Sequence, residues 1–388
     1  MILQALKHRE KNNKPITVGL IGAGCMGKGI CHQVSITPGM ELRWIADINL
    51  DAAESAASTV GCPKFSTSAL DLMDSDPVDV LVESSNTVKA ALEYCSHAIK
   101  SGSHVVLMNA EVDLAYGEEL VALANEHNVV VTSDAGDQHG VLATMIEEIT
   151  LWGFEMVQAG NIKGFLNQYA TADELIHEAA KRNLNPVQCC AYTDGTKLNI
   201  EMAVLANALG YLPTKIGMVG PKAQRVEEVL DLFNFEKQTT PSVDYILGAE
   251  PGGGVYVVAK CDHPVQTPYL EYYKLGDAPY YLFFRPYHLC HLETTTAIAK
   301  AVLFHTPILQ TSKRITDVYA IAKSQLTQNK EIHHGIGSDE FYGLIAPVEE
   351  AEKNHWVPIH TLDECTHLLK TPLEKDQYLT KDQIELLP

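Results

Sequence analysis

The sequence predicts an α/β protein with three segments. These are a doubly wound parallel sheet over residues 1–150, an α+β segment over 151–310, and a small, mostly β segment over 311–388. Three observations carry this. Short apolar runs alternate with helical patterns through the first 150 residues, the signature of βαβ units. A glycine-rich loop, Gly22-Ala23-Gly24-Cys25-Met26-Gly27, stands between the first such run and the first long helix. The texture shifts after Ser133 and again near Thr311, where short strand-like pieces alternate with glycine and polar turns.

The elements follow in order. Ile2, Leu3 and Leu6 give the start a short amphipathic helix, and its scattered charges exclude a secretory leader. The first strand is Ile16–Ile21, the second Glu41–Ala46, and the next three Val78–Glu83, His104–Met108 and Val129–Thr132. Helical patterns at Lys28–Val34, Val88–Ile99 and Glu118–His127 separate them, with another helix starting near Leu50. The loop Asp134–Gly140 enters a helix at Val141–Trp152, followed by a strand at Met156–Ile162 and a helix at Ala172–Arg182. Val187–Thr193 reads as a strand and Leu198–Leu209 as a strong helix. Strands at Val255–Ala259 and Tyr280–Phe284 precede a helix, Thr294–Phe304, that is expected to pack back on the first segment. The middle sheet can also serve as a homo-oligomer face, dimer or higher.

Lys and Arg total 29 against 49 Asp and Glu, a net charge of −20. Such a surface repels nucleic acid and anionic membranes, so an anionic ligand needs a local cluster of cations. The nine cysteines form no CxxC pair, and Cys189 and Cys190 are adjacent, which fits reduced thiols in a cytoplasmic protein.

The glycine loop gives the first chemistry. Gly22 permits a tight turn, Gly24 lets the backbone approach a pyrophosphate, and Gly27 lets helix pack on strand. Cys25 and Met26 open a helix whose N-terminal N–H groups face the phosphates. Asp47, with Ile48 beside it, ends the second strand twenty residues past Gly27. A carboxylate there accepts hydrogen bonds from ribose hydroxyls and repels a 2′-phosphate, so NAD is expected over NADP. The competing reading makes Asp47 the cap of the helix starting near Leu50. Ligands in such sheets bind outside the carboxyl ends of the strands, which puts Ser84, Ser85, Asn86, Asn109 and Glu111 beside the nicotinamide. Capping and turn formation explain the same residues.

Asp194, Lys197 and Glu201 lead among candidates for proton transfer. Lys197 and Glu201 are four apart on one helical face and Asp194 stands in the turn before. A lysine can give or take a hydroxyl proton while a carboxylate orients it. The rival is an ordinary helix cap with a surface Lys–Glu pair. Lys163, Lys260, Arg285 and His288 stand at strand ends, where cations could bind a carboxylate or phosphate or simply be solvated. His288, His291 and Glu293 match no strong zinc spacing, and no metal is assigned to them.

The stretches GLIGAGCMG, VVLMNAEVD, SDAGDQ, TDGTKLNIEMAVLANALG, VYVVAKCDHP and FFRPYHLCHLE together resemble the homoserine-dehydrogenase-like NAD(P) oxidoreductases that carry a C-terminal SAF-type domain. Among these the chain is similar to a 1-deoxy-D-xylulose 5-phosphate reductoisomerase-like enzyme. The resemblance implies an NAD(P)-dependent oxidoreductase acting on a small hydroxylated or keto substrate. An alternative implied activity is reductoisomerisation of a sugar phosphate, with a divalent metal. It also implies that Lys163, Asp194, Lys197, Glu201, Lys260, Arg285 and His288 line a site between the first and middle segments, and that the chain dimerises through the middle sheet. Two departures stand out. Asp47 replaces basic residues, pointing to NAD, and Asn161 replaces a lysine, pointing away from phosphate. A non-catalytic NAD-binding sensor or scaffold is the remaining class, and it would not need a proton-transfer set.

Overall fold

In the computed structural model, residues 1–181 and 184–387 are described, and the chain divides by internal contacts into two units. The first comprises Met1–Gly140 and Leu289–Ser312, the second Val141–His288 and Lys313–Pro388. This differs from the three segments read in the sequence: residues 289–312 go with the first unit, and the tail shares a unit with the middle segment.

The first unit is built on six parallel strands: β1 (Ile16–Ile21), β2 (Met40–Ala46), β3 (Phe65–Ser66), β4 (Val80–Glu83), β5 (His104–Leu107) and β6 (Val131–Ser133). Their order is β3-β2-β1-β4-β5-β6, the doubly wound Rossmann order. The central strands are apolar on both faces because helices cover both, as all-parallel sheets require. β4 is buried at all four positions. The helices are α1 (Ile2–Lys11), α2 (Cys25–Ile36), α3 (Leu50–Val60), α4 (Ala69–Ser75), α5 (Lys89–Lys100) and α6 (Ala110–Glu126). α6 starts eight residues before the expected Glu118, since the Asn109 side chain caps it by accepting from Val112 N at 3.2 Å.

The helix Cys290–Phe304 joins this unit through sequence-distant contacts. Ala297, Ile298 and Ala299 pack in one core with Ile30, Val34 and Leu20. The chain beyond it runs beside β6: Thr132 Oγ1 accepts from Ile308 N at 2.8 Å, and Ser133 N donates to the Leu309 carbonyl at 3.0 Å.

The chain passes into the second unit within α7 (Gln138–Leu151). There a five-stranded sheet has the order β11-β10-β7-β9-β8, from β7 (Glu155–Lys163), β8 (Leu212–Pro213), β9 (Ser242–Leu247), β10 (Val255–Lys260) and β11 (Tyr280–Arg285). β10 is antiparallel to both β7 and β11. One face carries Ile162, Ile246, Tyr256 and Val258 and is covered by Val226, Val229 and Phe235. The other face carries Ala159, Asn161, Val255 and Val257, and the helix α10 (Thr196–Leu209), after α8 (Ile176–Lys181) and α9 (Pro186–Thr193), lies against β9.

Two expectations change here. Val187–Thr193 is not a strand but most of α9. Pro186 takes the first helical position, and the Asn185 side chain caps the helix by accepting from Val187 N at 2.8 Å. The apolar run there was too short for its period to separate strand from helix. The helix expected at Ala172–Arg182 is regular only over Ile176–Lys181, and its expected end at Arg182 lies outside the described residues.

The tail is mostly β. It holds a hairpin-like pair, β12 (Thr316–Ala322) with β14 (Phe341–Pro347), and a three-stranded sheet of β13 (Glu331–Ile332), β15 (His367–Leu369) and β16 (Ile384–Leu386). α10 is buried along nearly its whole length because the tail covers one of its faces. Thr196 Oγ1 accepts from Gly343 N at 2.9 Å, Asn199 Oδ1 from Ile345 N at 2.9 Å, and Asn207 Oδ1 from Thr316 N at 2.8 Å. Among the described residues no helix is long and apolar enough to cross a membrane.

A buried charge cluster ties the tail together. The Asp317 carboxylate on β12 pairs with Arg314 and lies 3.4 Å from His360 Nε2. Burial alone would lower the His360 pKa, but the Asp317 charge beside it prevails and holds it up at about 9. The unfolded value is roughly 6.5. Folding therefore favours protonated His360, and its contribution is complete below that unfolded value and lost as pH rises through about 9. Thermal unfolding of wild type and His360→Asn between pH 6 and 10 is expected to show a stability gap that closes toward the alkaline end. A gap that stays constant with pH would refute this assignment.

Candidate functional site

In the first unit the glycine loop has the geometry its sequence implies. Gly22 is left-handed at φ +93°, and a Cβ there would lie 2.7 Å from the Ser84 carbonyl and Ser85 nitrogen. A Cβ on Gly27 would lie 1.8 Å from the Gly22 carbonyl oxygen, so only glycine lets α2 start this close to the strand. A Cβ on Gly24 would meet nothing within 4 Å, and the residue is exposed. The loop thus presents open backbone at the N-terminus of α2, where a pyrophosphate would sit.

Asp47 closes this end of the site. Its Oδ2 accepts from Ala23 N at 2.6 Å and its Oδ1 from Asn49 N at 2.8 Å. The cap of α3 is Asn49, whose side chain accepts from Asp51 and Ala52 N. The reading of Asp47 as that cap is thereby corrected. Ile48 beside it is 96% exposed, an apolar side chain standing free next to the carboxylate.

At the carboxyl ends of β4 and β5 the polar residues are bound to the fold. Ser84 Oγ donates to the Ile21 and Gly22 carbonyls, Ser85 Oγ is 3.0 Å from Thr87 Oγ1, and Asn109 Nδ2 donates to the Thr87 carbonyl. They shape the rim around the loop, Asn86 is exposed, and Glu111 lies in the first turn of α6. Sequence reading passed over Glu83, the last residue of β4. It is fully buried, its Oε1 accepts from Ser85 N at 3.0 Å, and burial pushes its carboxyl up to about 7. The available signal was an acid ending an otherwise apolar strand. Asp134, after β6, is likewise raised to about 7 by burial and by the Asp137 charge.

In the second unit α10 carries the leading candidates. Lys197 and Glu201 are buried one turn apart, which excludes a solvated surface pair. They lie about a third of the way round the helix from the Thr196, Asn199 and Asn207 side that faces the tail. Asp194 ties the start of α10 to the tail. Its Oδ1 accepts from Thr196 N at 2.8 Å, fixing the first turn of α10, and its Oδ2 pairs with Lys323 of the tail at 2.9 Å. Lys323 also donates to the Ala170 and Ser338 carbonyls and stands 3.2 Å from Cys190 Sγ. Burial pushes the Asp194 pKa up even with Lys323 beside it. No local pattern singles out Lys323, a lysine next to an apolar strand.

The strand-end cations do not form one group. Asn161, Val255 and Arg285 stand opposite one another across β7, β10 and β11, with Lys163 two residues along β7 on the same face. Lys260 ends the antiparallel β10 and pairs instead with Glu155 and Tyr280, at the other end of the sheet. That is roughly 17 Å away at 3.3 Å per residue. Lys260 is bridged to Asp262 at 3.2 Å. Arg285 lies over the Tyr287 ring at 4.6 Å, and His288 follows in the same unit. The start of α10 is at the Lys163 end: Asn167, four residues on, donates its N–H to the Thr193 carbonyl at 2.8 Å.

Comparison with known proteins matches the chain in two successive segments. A family model described as the homoserine dehydrogenase NAD-binding domain matches residues 22–133, and one described as the catalytic domain of oxidoreductase DRL matches residues 136–294. Homoserine dehydrogenase of Neisseria gonorrhoeae is 31% identical over 137 residues, covering 33% of this chain and 31% of that protein. The Bacillus subtilis homoserine dehydrogenase is 24% identical over 241 residues, covering 56% and 54%. The chain thus matches about a third to a half of the length of these relatives. Among solved structures, GenD2 from gentamicin A biosynthesis in complex with NAD superposes with a TM-score of 0.48 at 13% identity, over 77% of this chain and 89% of that one. The chain carries a homoserine-dehydrogenase-like NAD-binding segment followed by an oxidoreductase-like catalytic segment.

Proposed function

We propose that this protein is an NAD(P)-dependent oxidoreductase that prefers NAD(H). It would move a hydride between the nicotinamide and a small hydroxylated or keto substrate with an anionic end. The observation that carries this is the Asp47 carboxylate, held 2.6 Å from a glycine-loop amide at the carboxyl end of β2. When bound, the nicotinamide supplies the hydride-transfer chemistry. Gly22, Gly24, Gly27 and the first turn of α2 would hold the pyrophosphate, and Asp47 the adenosine ribose. Lys197 would give or take the hydroxyl proton, and Lys163 and Arg285 would bind the anionic end. Homo-oligomerisation through the second unit's sheet and a cytoplasmic location belong to the same proposal.

The same two cations could receive a phosphate, which keeps sugar-phosphate reductoisomerisation as the second reading. A strict divalent-metal requirement in turnover would favour it. NADH consumption with any substrate would exclude a non-catalytic sensor.

Titration with NADH and NADPH tests the cofactor choice. Wild type is expected to bind NADH more tightly, and Asp47→Ser to narrow the ratio by about tenfold, roughly 1.4 kcal/mol, through loss of the charge that repels the 2′-phosphate. The ratio is the readout, because losing the bond to Ala23 N weakens both affinities. Tighter NADPH binding by wild type would overturn the preference.

A further inference from the structure

Asn161 is the anomaly of the second unit. It lies on the sheet face opposite the Ile162 and Tyr256 core, with 0% exposure, and neither its Oδ1 nor its Nδ2 has a hydrogen-bond partner among the described residues. Buried side-chain amides are nearly always satisfied, because leaving one without partners loses the hydration that the unfolded chain enjoys. Nothing in its strand position demands an amide. Its neighbours along the face are Ala159 and Lys163, and Val255 stands opposite. An apolar residue would fill the place at less cost.

The surroundings indicate what the amide is for. Tyr245, Asn161, Val255 and Arg285 form one row across β9, β7, β10 and β11, with Tyr245 and Arg285 half-buried at its flanks. Lys163 is the next residue on that face, and the first turn of α10, with Lys197, starts at the same end of the sheet. A neutral group offering an acceptor oxygen and a donor NH2 therefore shares this face with Lys163, two residues along the strand, and Arg285, two strands over.

We propose that Asn161 is a substrate-recognition residue. Its amide receives an uncharged oxygen group, a hydroxyl that donates to Oδ1 and accepts from Nδ2, on a small hydroxy acid whose carboxylate lies at Lys163 and Arg285. This rests on the oxidoreductase reading and narrows it, since a hydroxyl engages both Oδ1 and Nδ2, whereas a phosphate or second carboxylate would accept from Nδ2 and leave Oδ1 unpaired.

Two measurements on Asn161→Leu test it. Without ligand, thermal unfolding of the full chain is expected to move up by about 2–4 °C, as removal of an unsatisfied buried amide should. A drop below wild type would show that the amide has structural partners and would overturn the proposal. Asn161→Ala guards against misfitting bulk: it should unfold no more than a degree or two below wild type, and a larger loss sinks the idea as well. The second measurement is NADH formation from NAD with a panel of small 2- and 3-hydroxy acids. Asn161→Leu should lose tenfold or more in kcat/KM, mostly in KM, with NAD affinity unchanged. Unchanged kcat/KM refutes the recognition role. If wild type turns over sugar phosphates and none of the acids, the hydroxy-acid assignment falls. If it turns over nothing, the oxidoreductase reading fails, while the unfolding data still decide whether Asn161 is unsatisfied.

Discussion

Lys323→Met is expected to destabilise the second unit by about 3–5 kcal/mol, the cost of removing one partner from a buried ion pair. The pair is sealed: Lys323 and Asp194 side chains are 2% and 0% exposed. The ammonium also donates to two backbone carbonyls, of Ala170 and Ser338, so its loss leaves one carboxylate and two acceptors short at once. Asp194 is tied to the first turn of α10, so the damage reaches the helix that carries Lys197. Thermal or urea unfolding should show it plainly, with a midpoint lower by roughly 10 °C at 2–4 °C per kcal/mol. The double variant Asp194→Asn with Lys323→Met should recover part of the loss, because it removes the stranded charge. A single variant that unfolds like wild type would mean that water or rearrangement satisfies Asp194, and the bridge would then not be what holds tail to helix.

The tail's role could not be read from sequence, and the reason is physical. Strands of a parallel sheet are covered on both faces and so are spelled as continuous apolar runs, which is why β1, β4 and β5 were legible. The glycine loop was legible because its backbone demands particular residues at fixed spacing, and the structure puts Gly22 and Gly27 where a Cβ cannot fit. Lys260 and Arg285 looked alike because each ends an apolar strand, but local sequence does not tell which strands run antiparallel. The pairing of β10 with β7 and β11 sends Lys260 to the far end. Burial of charge was hidden for a similar reason. Lys323 and Glu83 acquire their importance only when distant segments exclude water from them. A trace of the tail contact did exist in α10, where Thr196, Asn199 and Asn207 recur on one side of the helix, away from Lys197 and Glu201. That stripe is what caps the backbone of β12 and β14.

Lys197→Met is the variant expected to cost most in chemistry. Turnover should fall by about a hundredfold or more, the usual contribution of a positioned general acid or base and equivalent to roughly 2.7 kcal/mol of barrier. NADH affinity should stay within about twofold, because the glycine loop and Asp47 belong to the first unit. Methionine suits the test: it keeps most of the side-chain length and apolar stem within a buried stretch of α10, so a stability loss can be told apart by comparing unfolding midpoints. Lys197→Arg sharpens it. A guanidinium keeps the positive charge and can still hold an anion, but it does not release a proton in the working pH range. If Lys197 transfers the proton, arginine should not restore kcat, and the pH profile of kcat/KM should lose one limb in both variants. If Lys197 only attracts a substrate anion, arginine should recover most of the activity and the profile should keep its shape. Wild-type turnover in Lys197→Met would leave α10 without its proposed acid–base residue, and the buried Glu201 one turn away would be the next group to substitute.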